Sequence, residues 1–222
     1  MLYEYIIRDE QIFDADGVRR HALVYSCKDG RLATYVIKSQ EEFDNVLAQY
    51  HDYKMIRNLP VNNAYSAPCK IYFDITSSCN LHCTHCLNRG TNPDTYNVSK
   101  EAVEKIAKYC DKNGVFYIKI GGGEPLLHKD IINIIGRFRK IGMLVSMTTN
   151  GTIHDLDIVE AIKNYSVKIS VSLDGDRYSH EKIRGEGTYS RTTKYIDILL
   201  KNGTRPIIKY IDIFCCSAIC AF

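Results

Sequence analysis

No stretch of 18 apolar residues occurs anywhere in the 222-residue chain, which removes the signature of a membrane-spanning helix. The N-terminus carries neither the basic start nor the apolar core of a secretory signal peptide. A strong excess of one charge is also missing. Lys and Arg number 29 against 26 Asp and Glu, a formal net charge of +3, too small to argue for a nucleic-acid or membrane partner. With 45% hydrophobic and 25% charged residues, the composition is that of an ordinary globular protein, expected to be soluble and cytoplasmic. Nine cysteines without a secretion signal argue against a disulfide framework. The odd count favours ligands and free thiols over bridges. Cys27, Cys69 and Cys110 fall in apolar segments and read as buried free thiols.

What is present centres on Cys79-Asn80-Leu81-His82-Cys83-Thr84-His85-Cys86, just after the β-like run Ile71-Tyr72-Phe73-Asp74-Ile75. Thiolates are soft ligands that select zinc, copper(I) or iron–sulfur clusters. Zinc prefers a closed tetrahedron, commonly built from two separated ligand pairs. His82 or His85 could close such a site, but the loop is cramped and no second pair follows at zinc-finger spacing. A [4Fe–4S] cube held by three cysteines leaves one iron open for chemistry. Both readings stand on the cysteines alone.

Three later motifs also begin where a predicted strand ends. Gly121-Gly122-Gly123-Glu124-Pro125 follows Val115–Ile120, Thr148-Thr149-Asn150-Gly151 follows Leu144–Met147, and Ser172-Leu173-Asp174-Gly175 follows Val167–Val171. Between them lie helical periodicities with caps expected at Ser99, Asp130, Asp155 and Ser190, and a fifth strand expected over Ile207–Phe214. Alternating strands and helices imply a parallel sheet. In such sheets ligands gather at the carboxyl ends of strands. The cysteine loop and the three motifs therefore point to one rim, which favours the cluster reading. Taken singly, the motifs have plainer readings: the glycines as a flexible turn, Glu124 as a helix-terminus acid, Asn150-Gly151 and Asp174-Gly175 as turn pairs.

CxxxCxxC followed by Gly-Gly-Glu-Pro resembles the radical S-adenosylmethionine (radical SAM) enzymes. Ser172-Leu173-Asp174-Gly175, with His180, Ile183-Arg184-Gly185 and Gly187-Thr188-Tyr189, is most similar to the branch of peptide-modifying and sulfatase-maturing enzymes. The resemblance spans roughly residues 68 to 213. It implies an α/β fold, a partial parallel (β/α) TIM-like barrel, with a [4Fe–4S] cluster on Cys79, Cys83 and Cys86. It implies S-adenosylmethionine held by His85 beside the adenine, by Gly122, Gly123 and Glu124 at the amino group, and by Thr149, Asn150, Ser172, Asp174 and Arg184 at ribose and carboxylate. It further implies an external electron donor such as flavodoxin or ferredoxin, and a peptide or protein substrate. No residue that would define the substrate or the reaction outcome is recognisable.

Residues 1–65 read as a separate small α+β unit ahead of a core at 66–222. Leu2–Arg8, His21–Ser26 and Leu32–Ile37 are β-like, Lys28-Asp29-Gly30 is a hairpin turn, and Ser39 with Glu42 opens a helix. Asn58–Pro68 reads as a linker. The unit is expected either to cap the core or to capture an extended peptide on an open sheet edge. Relatives usually carry one more strand–helix unit, so the core is expected to be truncated, with Cys215, Cys216 and Cys220 fortuitous. A catalytically silent relative that still binds cluster and cofactor, and a zinc-stabilised interaction module, stand as alternatives to an active enzyme.

Overall fold

The structure, a computed structural model, describes residues 3–14, 17–57, 61–62, 65–86 and 96–210. The chain forms two compact units. The first combines Met1–Tyr72 with Ser99–Lys119 and Asn133–Val145. The second combines Phe73–Val98, Ile120–Ile132 and Ser146–Phe222.

In the first unit, β1 (Tyr5–Asp14) and β2 (Gly17–Ser26) form a long antiparallel hairpin, and β2 pairs antiparallel with β3 (Leu32–Ile37). The expected turn joins β2 to β3: Gly30 has φ +75 and the Arg31 amide donates to Asp29 at 3.1 Å. Helix α1 (Gln40–Leu47) starts at Ser39, whose hydroxyl accepts from the Glu42 amide at 3.1 Å. Glu42 reaches back to the Lys38 amide at 2.7 Å, a capping box shifted by one residue. The helix returns the chain so that β4 (Tyr53–Arg57) lies parallel to β1, and β5 (Val61–Asn62) pairs with β1 beyond it.

The central strand β2 is buried on both faces, which explains its unbroken Ala22-Leu23-Val24-Tyr25. Ala22 and Val24 pack with Ile7, Phe43 and Val46. Leu23 and Tyr25 pack with Ile6, Ile56, Phe116 and Leu144, Tyr25 stacking on Phe116 at 4.9 Å. Cys27 belongs to this second cluster, and burial pushes its thiol up to about 11. A buried Arg8–Glu10 pair pins the last part of the expected linker. Arg8 donates to the Ala67 carbonyl at 2.7 Å, and Glu10 accepts from the Ser66 amide at 3.1 Å. Satisfying every donor and acceptor in this way is what makes a buried ion pair tolerable.

From residue 70 onward strand and helix alternate: β6 (Lys70–Thr76), α2 (Lys100–Asn113), β7 (Tyr117–Gly122), a short 3-10 turn (Pro125–Leu127), α3 (Ile131–Lys140), β8 (Leu144–Thr149), α4 (Leu156–Asn164), β9 (Lys168–Ser172), α5 (Arg177–Arg184), α6 (Thr188–Lys201) and β10 (Ile207–Lys209). The strands form a parallel sheet in the order β10-β9-β8-β7-β6, so each new strand joins beside the last. This is the expected α/β architecture of a partial (β/α) barrel. Ser99 and Asp155 cap their helices as expected, and Gly114 ends α2 with φ +64.

Ser190 is not a cap. Gly187 precedes α6, and Asp176 caps the separate helix α5 by accepting from the Ser179 amide at 2.8 Å. Helix α5 buries only His180 and Ile183, too sparse a stripe for periodicity to reveal. The expected fifth strand is described over Ile207–Lys209. Its continuation through Phe214, with Cys215, Cys216 and Cys220, lies outside the described residues. None of the described helices is long and apolar enough to cross a membrane.

Strand alternation divides the second unit chemically. Met147, Ile169 and Val171 are fully buried on one face of the sheet. Pairing of Ser146 with Lys168, Thr148 with Ser170, and Lys209 with Ser172 places a polar row on the other.

Candidate active site

All four motifs stand at strand ends within the second unit. The loop after β6 is shaped first by Thr76, whose hydroxyl donates to Asn97 Oδ1 at 2.7 Å and accepts from the Ser78 amide at 3.0 Å. The chain then passes Cys79 and Cys83 and turns so that the Cys86 amide donates to the Cys83 carbonyl at 3.2 Å. The Thr84 amide donates to the Ile183 carbonyl at 3.0 Å, tying the loop to α5. Cys79 and Cys86 are exposed and Cys83 is buried. Burial raises the Cys79 and Cys83 thiols, and each is raised further by neighbouring cysteines of the loop.

The glycine run meets this loop directly. The Gly123 amide donates to the Thr76 carbonyl and the Glu124 amide to the Ser78 carbonyl, both at 2.8 Å. A Cβ on Gly122 would lie 2.1 Å from the Thr76 carbonyl oxygen, and one on Gly123 would lie 2.3 Å from that of Ser78. The sequence suggests that these glycines leave backbone open to a ligand. The geometry gives them another duty: they let β7 end flush against the cysteine loop.

Glu124 is 1% exposed. Its carboxylate accepts from the Leu126 amide at 3.1 Å, the Thr149 hydroxyl at 2.8 Å and the Asn150 amide at 2.7 Å. It thereby caps the short turn and joins the glycine motif to the Thr-Thr-Asn motif. Burial raises its carboxyl, and these hydrogen bonds together with Arg184 oppose the shift. The Asn150 side chain donates to Asn80 Oδ1 at 3.0 Å, extending the network back to the cysteine loop.

A cavity of about 850 Å³ opens at this rim, a size suited to one ligand and its surroundings. His85, Cys86, Gly122, Ser172, Asp174 and Arg184 line it. Gly123, Glu124, Thr149 and Asn150 are not among the lining residues. Thr148, Ile208, Lys209 and Tyr210 also line the cavity, and the sequence reading missed them as site residues. Parallel register could have found two. Thr148 shares a face with Ser170 and Ser172, and Lys209 lies beside Ser172. Thr149 points away from that face, toward Glu124.

Arg184 donates from Nε to Asp174 Oδ2 at 2.5 Å, and the Asp174 amide donates to His180 Nδ1 at 3.1 Å. His85 Nδ1 and Thr148 Oγ1 are buried without a protein partner. Burial and the adjacent Arg184 lower the His85 imidazole, which keeps its ring neutral near the cavity.

His180 supplies a stability test. Burial pushes its imidazole down, Arg184 adds to the shift, and Asp174 and Glu181 oppose it. As pH falls, the unfolded chain therefore takes the proton first. His180's contribution is complete above about pH 6.5 and declines as pH falls from there toward the lowered folded-state value. Protonation would also place an N–H at Nδ1 against the Asp174 amide. Denaturant unfolding is expected to show stability falling through this group as pH drops from 7.5 to 5. The His180→Gln variant should show a flatter profile over the same range.

Sequence comparison decides the family. The pattern described as the Radical SAM superfamily matches residues 73–215. The chain belongs to the radical SAM superfamily. The superfamily uses a [4Fe–4S] cluster and S-adenosylmethionine. The chain is 32% identical over 146 residues to the antilisterial bacteriocin subtilosin biosynthesis protein AlbA of Bacillus subtilis, covering 64% of this chain and 33% of AlbA. It is 33% identical over 135 residues to a probable GTP 3′,8-cyclase of Thermoplasma volcanium, covering 60% of this chain and 41% of that protein. The radical SAM chain thus spans less than half the length of these relatives. Among solved structures, Streptococcus suis SuiB is similar with a TM-score of 0.68 at 16% identity, covering 93% of this chain and 54% of SuiB. Native anSMEcpe with bound AdoMet is similar with a TM-score of 0.55 at 22% identity, over 63% of this chain and 42% of that one. At these identities the structural likeness speaks for the fold.

Proposed function

We propose that the protein cleaves S-adenosylmethionine reductively and acts on a peptide or protein substrate. The observation that carries this reading is the convergence of four strand-end motifs on one cavity. Cys79, Cys83 and Cys86 would hold the cluster. Burial raises the Cys79 and Cys83 thiols, and neighbouring cysteines of the loop raise them further, so the thiols stand near enough to influence one another. Three soft thiolate donors on one loop suit an iron–sulfur cluster with one open iron.

Held by Cys79, Cys83 and Cys86, a reduced cluster would supply the electron for reductive cleavage of the S-adenosylmethionine sulfonium to methionine and a 5′-deoxyadenosyl group able to take a hydrogen atom from substrate. The chain's own residues bind, orient and exclude water. Gly122 brings main chain to the cavity wall. His85, buried at Nδ1, offers a flat neutral ring for an adenine. Ser172 and Asp174 present hydroxyl and carboxylate for a ribose, and Arg184 holds Asp174 in place while facing the cavity. Gly123, Glu124, Thr149 and Asn150 support that wall without lining it. An external donor such as flavodoxin or ferredoxin would deliver the electron.

A peptide substrate is favoured by the first unit. Strand β3 ends its sheet and exposes Leu32 and Val36, an edge suited to pairing with an extended chain. SuiB, similar over most of this chain, has a structure bound to its precursor peptide SuiA. We assign residues 1–65 as the recognition unit and 66–222 as the cofactor-binding core.

Electron paramagnetic resonance of anaerobically reconstituted, dithionite-reduced protein tests the reading. A [4Fe–4S]⁺ signal that shifts when S-adenosylmethionine is added is the expected result. A protein with no cluster signal and stoichiometric zinc would overturn it.

A further inference from the structure

We infer that Asn80, between the first two cysteines of the loop, is a positioning residue that sets the loop for its cluster through a closed hydrogen-bond ring with Asn150 and Thr152. The inference rests on the reading that Cys79, Cys83 and Cys86 hold the cluster. The Thr152 main-chain N–H donates to Asn150 Oδ1 at 2.9 Å, and this donor fixes every other orientation in the ring. Asn150 Oδ1 must be the acceptor end of its amide, so Asn150 Nδ2 is the donor to Asn80 Oδ1 at 3.0 Å. That leaves Asn80 Nδ2 to donate to Thr152 Oγ1 at 2.8 Å. The Thr152 hydroxyl, with that bond accepted, donates its own proton to Asn150 Oδ1 at 2.6 Å. No donor in the ring meets a donor.

The ring is anchored on one side and free to act on the other. Asn150 is buried, its main-chain N–H donates to Glu124 Oε2 at 2.7 Å, and its carbonyl accepts from the Thr192 hydroxyl at 2.8 Å. Asn80 is exposed and belongs to the loop. The tether therefore runs from a fixed strand end outward to the residue next to Cys79. A second tether, from the Thr84 amide to the Ile183 carbonyl, holds the gap between Cys83 and Cys86. It is main chain and survives side-chain substitution. The tether beside Cys79 depends on side chains at both of its ends. Partners of metal ligands commonly change metal affinity by about 10–100-fold, and Asn80 can exert such an effect without touching iron.

The test compares Asn80→Ala, Thr152→Val and Thr152→Ser with the parent protein. Two measurements are made: the rate of iron loss from reconstituted protein to a chelator, and amide hydrogen exchange of residues 80–86 in cluster-free protein. Asn80→Ala is expected to speed both by about tenfold, with the melting temperature unchanged because the side chain is exposed. Thr152→Val should move both in the same direction, and Thr152→Ser, which restores the hydroxyl, should return both to parental values. Parental rates in both Asn80→Ala and Thr152→Val would overturn the inference. A parent protein that takes up no iron would overturn the functional reading instead, and exchange in the cluster-free protein would then still decide whether Asn80 holds the loop.

Discussion

Cys83→Ala is expected to abolish cluster assembly and all 5′-deoxyadenosine production while the protein still folds. Cys83 is the buried member of the three loop cysteines, with one of the other two proposed ligands on either side in sequence. Removing it leaves Cys79 and Cys86, which are exposed and separated by the whole loop, and two thiolates cannot hold a four-iron cube whose remaining corner must stay open for the cofactor. The structural cost is small by comparison. One sulfur is lost from a loop fixed by main-chain bonds at Cys86 and Thr84, which amounts to about 1 kcal/mol.

Cys110→Ala is the informative control. Cys110 is buried in α2, and burial pushes its thiol up to about 11, the signature of a packed and unreactive cysteine. Its truncation should cost about 1–2 kcal/mol of stability and leave the cluster intact. The two variants should therefore dissociate, one losing chemistry and the other stability. Iron and sulfide content, cofactor cleavage and denaturant midpoints measure this together. Full 5′-deoxyadenosine production by Cys83→Ala would end the mechanism.

Much of this was legible in the sequence because it rests on local rules. The strand–helix alternation after residue 70, the caps at Ser99, Asp155 and Ser39, and the gathering of motifs at strand ends each follow from periodicity and capping chemistry. The first unit was less legible. Asp16-Gly17, ahead of the β2 run, is a strong turn pair that the sequence analysis left unused, and β4 is an unremarkable run whose parallel partner lies some 48 residues earlier. Long-range pairing of that kind leaves no local trace. The merging of Ile6, Leu23 and Tyr25 with Phe116 and Leu144 is likewise invisible to a linear reading. It means that deleting residues 1–60 would strip a core as well as a sheet edge, so point substitutions are the cleaner probe of recognition.

The motif stretches meet at one cavity, and side-chain direction divides them. In Thr148-Thr149 the two hydroxyls point to opposite faces of β8, one lining the cavity and one meeting Glu124. A strand's alternation makes that inevitable, yet which hydroxyl faces the ligand depends on the register with β9. Glu124 illustrates the same point. An acid in a ligand-binding motif invites a ligand contact, but here both oxygens are engaged by Leu126, Thr149 and Asn150. Only the fold reveals that it fastens one motif to the next.

Gly122→Ala carries the largest expected loss of stability. The new Cβ would lie 2.1 Å from the Thr76 carbonyl oxygen and 3.2 Å from the Thr76 nitrogen and carbonyl carbon. These are backbone atoms of the strand that launches the cysteine loop, so no side chain can swing aside to relieve the contact. The residue also has φ +122, a conformation costly for any side chain. Gly185 separates the two effects. It has φ +103 with no heavy atom within 4 Å of a built Cβ, so Gly185→Ala reports backbone strain alone, about 1–2 kcal/mol. Gly122→Ala should cost about 4 kcal/mol or more, a large part of the roughly 5–15 kcal/mol that holds a typical domain folded. Denaturant midpoints at matched slopes measure the difference. The folded fraction of Gly122→Ala should also bind less iron, because relieving the overlap displaces Thr76 and with it the start of the loop that carries Cys79. Equal costs for the two variants would show that the end of β6 yields readily, and the glycine run would then be needed for what approaches it from the cavity and not for how it packs.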